Sequence, residues 1–273
     1  MSDTQTRRAQ KTRRLIFSGV FLSITIGLLL PFQPEVTPSV GTKSMFSFIE
    51  NIKPGSTILI SFDHESASFP EMKPLAIAVV SHLLKRDVKI IAISLFPEGA
   101  GLGASLLRRL GEENKKTYGT DFVFLGFKPE PRATILGMGK SFSFVFPFDF
   151  YGTKTSDLPI MSADRYSDVV GVITIADGSY PSHWIEYGAA KYELIVLSAL
   201  AASMVTSYDP YVTSGQLHSI LGGLRGAAEY ESLLNVDGGG SRAMLAQTAA
   251  HIFIVLILIV GNISYLRSRK KKV

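Results

Sequence analysis

The chain has 273 residues, of which 46% are hydrophobic, and a formal net charge of +5. It contains no cysteine, which excludes disulfide bonds, thiolate nucleophiles and cysteine-ligated metal centres. Ten of the 28 basic residues lie in the two tails, 1–14 and 267–273, but only one of the 23 acidic residues does. The region between them is therefore mildly acidic, and we expect no nucleic-acid partner.

The first long apolar segment covers residues 15–32 and contains no charged residue. As a helix it would span roughly 27 Å at 1.5 Å per residue, enough to cross the hydrocarbon core of a bilayer. Five basic residues precede it, Pro31 lies at its end, and Pro34 and Pro38 follow it. The alternative is a cleavable signal peptide, but no A-x-A-like cleavage site follows the segment. We therefore expect an uncleaved transmembrane anchor.

A second apolar segment, residues 246–266, leads into the basic tail 267–273. Positively charged flanks are retained on the cytoplasmic side of membranes. Basic tails outside both apolar segments therefore predict that both termini are cytoplasmic. The region between the segments would then lie outside the cytoplasm, in a two-pass cell-membrane protein.

Between these segments we expect one α/β domain, residues 56–235, joined to the helices by linkers 33–55 and 236–245. Strands are predicted at 57–62, 88–95, 122–125, 169–175 and 194–197, and helices at 74–85, 103–116, 131–146, 182–191 and 214–234. The strand candidates are nearly continuous apolar runs, which is typical of strands buried on both faces of a parallel sheet. The predicted fold is a doubly wound α/β domain with a mostly parallel sheet of about five strands, flanked by one transmembrane helix on each side.

Residues 142–150 (FSFVFPFDF) place phenylalanine at every second position. A period of two is typical of a strand, but Pro147 interrupts the pattern. One interpretation is core packing at the end of a helix followed by a turn. The other is an exposed apolar lip that contacts a membrane or a partner protein.

Ligands of open α/β sheets bind beyond the carboxyl ends of the strands. The polar and glycine residues that follow the predicted strands form our candidate ligand-binding rim. Its members are Asp63, Glu98, Gly99, Gly101, Gly103, Lys128, Asp177, Ser179 and His183.

Three kinds of chemistry are conceivable at this rim. The glycine run in PEGAGLGAS, predicted to precede a helix, could bind an anion through backbone N–H groups, or could simply allow a tight turn. Metal ligation by Asp63, Glu98, Asp177, His64 and His183 is a second option, although no tight ligand spacing supports it. A hydrolase triad of Ser179 or Ser182 with His183 and an aspartate is a third, although the chain has no G-x-S-x-G elbow.

No catalytic motif or cofactor signature emerges, and the catalytic residues and cofactors stay unassigned. The leading hypothesis is a non-enzymatic module that is tethered to the lipid bilayer and binds a protein or ligand in the cell envelope, with an envelope protein or a second copy as its partner. One alternative is a membrane-anchored hydrolase whose site at the carboxyl edge of the strands uses Asp63, Glu98, Asp177 and His183. The other is an accessory subunit of a transporter.

Overall fold

The computed structural model describes residues 3–30 and 36–270. These residues form two compact units. One is residues 36–240, and the other combines the described residues before 31 with those from 241 onward. Pro31, at the end of the first predicted membrane segment, Pro34, which follows it, and Lys271 and Lys272 of the basic tail lie outside the described residues.

Two long helices make up the smaller unit: α1 (Asp3–Leu29) and most of α11 (Gly239–Lys270). Both contain stretches long and apolar enough to cross a membrane, with mean hydropathies of 1.4 and 2.3. Only 6% and 11% of these stretches are buried, which is not the pattern of a core helix. A Cβ atom added at Gly27 would lie 2.6 Å from Ala246 Cα, so the absence of a side chain there permits close packing of the two helices.

The larger unit is built on a six-stranded, fully parallel sheet. Its strands are β1 (Thr57–Asp63), β2 (Lys89–Ser94), β3 (Phe122–Phe127), β4 (Val169–Ala176), β5 (Val196–Leu200) and β6 (Ser219–Gly222). Their order is β3-β2-β1-β4-β5-β6. The predicted α/β class with a mostly parallel sheet is confirmed, and the sheet has six strands where about five were predicted.

Helices cover both faces of the sheet. They are α2 (Val40–Glu50), α3 (Phe69–Lys85), α4 (Pro97–Glu113), α5 (Pro131–Met138), α6 (Phe142–Val145), α7 (Tyr180–His183), α8 (Ala190–Tyr192), α9 (Ala202–Thr213) and α10 (Gly223–Leu233), with a π-turn at Trp184–Ala189. A first core lies between the sheet and α2, α3, α4 and α10. A second core lies between the opposite face and α5, α6, the π-turn and α9.

The strand that the sequence prediction missed lies inside the predicted helix 214–234. Leu217, Ile220, Leu221 and Leu224 recur at helical spacing, but only the part from Gly223 onward is helical. Gly223 has a φ of 57°, a left-handed conformation that favours glycine and ends the strand. A four-residue strand is too short to show a period of two distinct from 3.6. Its assignment depends on pairing with β5, which is a long-range contact.

Other boundaries also differ from the predicted ones. The segment 33–55, predicted as a linker, contains α2, and α11 begins inside the predicted linker 236–245. The predicted helix 131–146 is two helices, α5 and α6, and α9 occupies a region that was assigned no helix.

A buried carboxylate joins α2 to the rest of the larger unit. Glu229 on α10 accepts hydrogen bonds from Ser39 N (2.9 Å), Thr42 Oγ1 (2.7 Å) and Arg225 Nε (2.9 Å). On α2, Met45 and Ile49 are fully buried in the first core. Helix α2 is therefore an integral part of this unit.

We expect a protein limited to residues 36–240 to fold without α1 and α11, because this unit contains both apolar cores. It should remain soluble and unfold in urea in one cooperative transition. The same protein shortened to begin at residue 51 lacks α2 and exposes its contact surface, so it should be markedly less stable. Aggregation of the 36–240 protein without detergent would contradict the expectation.

Candidate functional site

The strand order reverses between β1 and β4, which extend the sheet in opposite directions from its centre. In doubly wound sheets with this order, ligands bind beyond the carboxyl ends of the strands at such a switch point. Asp63 ends β1, and Asp177 directly follows β4. The two predicted rim residues therefore lie where the fold class most often places a ligand.

Asp63 is fully buried beneath this edge. Its Oδ1 atom accepts a hydrogen bond from Leu95 N at 2.7 Å, and its Oδ2 atom accepts one from Thr174 Oγ1 at 3.3 Å. Burial raises the pKa of Asp63 from 3.8 to about 6, and the neighbouring hydrogen-bond donors only partly oppose that rise. Asp63 is thus a buried carboxyl with a raised pKa beneath the sheet edge, and it is not exposed to contact a ligand in solvent.

Asp177 and Glu98 both bind the loop that follows β1. Asp177 Oδ2 accepts hydrogen bonds from Glu65 N at 2.8 Å and from the hydroxyl of Ser68. Glu98 Oε2 accepts one from Ser66 N at 2.7 Å. These contacts bring two predicted rim acids to one loop. In the described structure they act as acceptors for its backbone.

A fourth acid, which the sequence analysis did not single out, has the same role. Glu71 on α3 accepts a hydrogen bond from Ala202 N, the first residue of α9, at 2.9 Å. An acidic residue in the first turn of a helix usually interacts with its own helix, so no local signal indicated this long-range contact.

Carboxylates thus accept hydrogen bonds from backbone N–H groups that follow β1, β2 and β5. Backbone N–H groups at such edges are the usual binding sites for phosphate in nucleotide-binding folds. Here they are bound by the protein's own negative charges. A phosphate group would have to displace a carboxylate and approach several others, which disfavours anionic ligands.

The glycine run lies inside α4 instead of preceding a helix, so the prediction of a glycine loop there is wrong. A Cβ atom at Gly99 would lie 2.0 Å from Phe62 O, and one at Gly103 would lie 2.6 Å from the Phe62 ring. These two glycines let α4 approach the end of β1 closely. Gly101 faces open space. The run therefore has a packing role, which its sequence did not distinguish from anion binding.

The remaining rim residues do not form a triad. The Ser182 hydroxyl donates to the Ser179 carbonyl at 2.6 Å rather than to His183. The His183 ring stacks on Tyr187 with centroids 6.2 Å apart. Lys128 lies over the Phe146 ring at 5.7 Å, on the side of the second core. Within residues 3–30 and 36–270, no three His, Asp or Glu side chains are grouped in a way that could hold a metal ion.

The phenylalanine-rich segment contains both buried and exposed aromatic side chains. Phe142 and Phe146 are buried in the second core, whereas four nearby aromatic side chains are exposed: Phe144 (74%), Phe148 (58%), Phe150 (43%) and Tyr151 (44%). We call these four residues the aromatic lip. Phe150 N donates to Phe124 O at 3.0 Å, so the lip segment runs along the outer edge of β3.

Three surface cavities contain none of the predicted rim residues: two of about 360 and 550 Å³ lie around the start of β5, and one of about 730 Å³ runs along β6 to Ala202 and Gly222 at the carboxyl edge. His218 lines all three. Phe48 packs against its ring with centroids 5.2 Å apart. Only the tertiary structure reveals this region, because its walls come from α2, α9 and the segments before β5 and β6.

No protein-family model matches this chain, and no curated protein is significantly similar to it in sequence.

Proposed function

We propose that this chain is a two-pass membrane protein that presents its α/β domain outside the cytoplasm as a binding module for another envelope protein. The observation that carries the binding role is the aromatic lip. Four exposed aromatic side chains lie within eight residues, and exposed apolar clusters mark protein interaction sites in soluble domains.

The membrane location is supported by the two apolar helices and by the charge of their flanks. Both have the length and hydropathy of a membrane span, and their apolar side chains face outward. Ten basic residues in the two tails favour cytoplasmic termini. On this basis we place the domain on the opposite side of the membrane.

The lip and the segment that enters the domain lie at different edges of the sheet. Residues 36–39 enter the domain beside β6, where Ser39 N donates a hydrogen bond to Glu229. The chain leaves the domain at Gly240, whose N–H group donates a hydrogen bond to Glu231 on α10. The lip lies along β3, at the other end of the sheet.

The contacts at the rim disfavour the hydrolase alternative. Asp63 is buried, and both Glu98 and Asp177 accept hydrogen bonds from backbone N–H groups. A general base needs to reach a substrate proton, and a nucleophile needs an adjacent base. These contacts support a role for Glu98 and Asp177 in positioning the loop after β1, and a role for Asp63 in positioning the segment after β2.

The topology and the binding role can be tested together, because the chain has no native cysteine. In intact cells, a membrane-impermeant maleimide should modify a Phe148→Cys variant but not a Thr12→Cys variant. A photoreactive maleimide on the Phe148→Cys variant should then give a covalent adduct with a protein. Modification of Thr12→Cys alone would reverse the proposed topology, and adducts with lipid only would overturn the choice of a protein partner.

The matched control is an exposed apolar side chain on another surface. Ile195 is 43% exposed, as Phe150 is, and lies at the start of β5. A Phe144→Asp/Phe148→Asp double variant should lose the adduct that forms with a probe on Tyr151→Cys, whereas Ile195→Asp should retain it. Equal loss in both would indicate a general effect on folding and would remove support for the lip as the binding surface.

A further inference from the structure

One buried histidine connects three helices of the larger unit. His82 lies on α3 and is 2% exposed. Its Nε2 atom is 2.9 Å from Glu50 Oε1 on α2, and its Nδ1 atom is 2.7 Å from the Tyr230 hydroxyl on α10. The Phe46 ring on α2 stacks on the imidazole with centroids 4.9 Å apart. The imidazole therefore holds the carboxyl-terminal half of α2, residues 45–50, against two other helices.

These contacts suit a neutral ring. A carboxylate can only accept hydrogen bonds, so we assign the ring proton to Nε2, which donates it to Glu50. Nδ1 then accepts a hydrogen bond from the Tyr230 hydroxyl. Burial raises the pKa of Tyr230 well above its usual value, so this hydroxyl keeps its proton. A second ring proton would have to sit on Nδ1, where it would displace the hydrogen bond that Tyr230 donates.

The charged groups around the ring differ in sign. Glu50 on α2 favours the protonated ring, whereas Lys85 and Arg86 on α3 disfavour it. Helix α10 faces the ring with the uncharged Tyr230 hydroxyl. Burial has the largest effect and outweighs the attraction of Glu50, so the pKa of His82 lies below its usual 6.5. Acid therefore forces a positive charge into a buried contact that is arranged for a neutral imidazole.

We propose that His82 is an acid-sensitive latch, which holds α2 against α3 and α10 while the ring is neutral and releases residues 45–50 when the ring takes up a proton. Met45 and Ile49 lie in this half of α2 and are fully buried in the first core. Ser47 and Phe48 line the surface cavity of about 550 Å³. Release would expose part of the core and change the shape of this cavity, so the latch makes this surface dependent on pH.

The direction of the pH effect follows from the lowered pKa. In the released state His82 is solvated and has its ordinary pKa of 6.5. As the pH falls through this value, the released state binds the proton first, and the equilibrium shifts toward release by up to about tenfold per pH unit. The shift ends when the pH reaches the lower pKa of the latched state.

The amino-terminal end of α2 is held by a group that titrates at lower pH. Burial raises the pKa of Glu229, but its hydrogen bonds from Ser39, Thr42 and Arg225 outweigh this and lower it below 4.5. Glu229 thus stays ionised between pH 7.5 and 5.5 and keeps its contacts with this end. Over that range we expect release only at the carboxyl-terminal half, where His82 lies.

Amide hydrogen exchange of the full chain in detergent micelles tests the latch. After correction for intrinsic exchange rates, opening of residues 45–50 relative to opening of α4 should increase from pH 7.5 to 5.5, by up to about tenfold. Helix α4 is the internal reference, because the ratio removes effects on the whole domain, such as the raised pKa of Asp63. His82→Gln keeps a donor for Glu50 and cannot become charged, so it should show no increase. A pH-independent ratio in the unaltered chain, or the same increase in His82→Gln, would overturn the proposal.

Two further variants separate proton uptake from a general loosening of α2. Glu50→Gln keeps an acceptor for Nε2 but removes the charge that favours the protonated ring, so the pKa of His82 should fall further and acid should open α2 more. His218→Gln is the matched control: His218 also packs on α2, through Phe48 with centroids 5.2 Å apart, but is exposed. It should retain the response of the unaltered chain. A weaker acid response in Glu50→Gln, or its loss in His218→Gln, would contradict the latch even if His82→Gln fails to fold.

Discussion

Replacing Asp63 with asparagine is expected to stabilise the 36–240 domain by about 3 kcal/mol at pH 8 and to leave its stability unchanged below pH 4. Burial raises the pKa of Asp63 from 3.8 to about 6 in the folded state. That difference corresponds to about 3 kcal/mol, since one pKa unit is about 1.4 kcal/mol.

The sign of this stability change depends on whether the folded or the unfolded state binds the proton of Asp63 more tightly. Below pH 3.8 the carboxyl is protonated in both the folded and the unfolded state, and its contribution to stability is fully present. As the pH rises to about 6, the unfolded state loses its proton first, so the wild-type domain becomes progressively less stable. Asparagine has no proton to lose and can still accept the hydrogen bond from Leu95 N.

Urea unfolding of both proteins between pH 3.5 and 8 measures this difference. The two stability curves should coincide at low pH, separate between about pH 4 and 6, and run parallel above that range. Glu98→Gln is the matched control, because Glu98 is exposed and its pKa is lowered by its hydrogen bond from Ser66. A wild-type domain that is as stable as Asp63→Asn at pH 8 would show that the carboxyl is solvated or paired with a charge.

Replacing Gly99 with alanine should destabilise the domain by about 3 kcal/mol or more, whereas Gly101→Ala should stabilise it by up to about 1 kcal/mol. The new methyl group at Gly99 would lie 2.0 Å from Phe62 O and 2.9 Å from Ser94 Oγ, so α4 would have to move away from β1. At Gly101 the methyl group meets nothing within 4 Å, and alanine favours the helix.

Thermal and urea unfolding of the two variants distinguish packing from anion binding as the role of the glycine run. If the glycines served a backbone anion site in a loop, both substitutions would have similar, small effects on stability. Comparable midpoints for Gly99→Ala and Gly101→Ala would therefore contradict the close approach of α4 to β1.

The amino-acid sequence by itself indicated the elements whose signal is local. Continuous apolar runs such as TILISF and VVGVITI marked buried parallel strands, because a strand covered on both faces has no polar side. The two uncharged apolar segments were equally clear, since a membrane span needs about 20 apolar residues in succession. Asp63 and Asp177 could be assigned to one edge from the parallel topology alone.

Only the tertiary structure decided features that depend on long-range contacts. Strand β6 is defined by pairing with β5, and the packing role of Gly99 in α4 is defined by its distance to Phe62 on β1. The rim acids illustrate the same limit. Whether a carboxylate binds a ligand or a backbone N–H group depends on which loop lies opposite it. For both Asp177 and Glu98 that loop is the one after β1. Asp177 is 109 residues from its partner Ser68, and Glu98 is 32 residues from its partner Ser66. No local pattern encodes such a separation, because it arises only when the sheet brings the strand ends together.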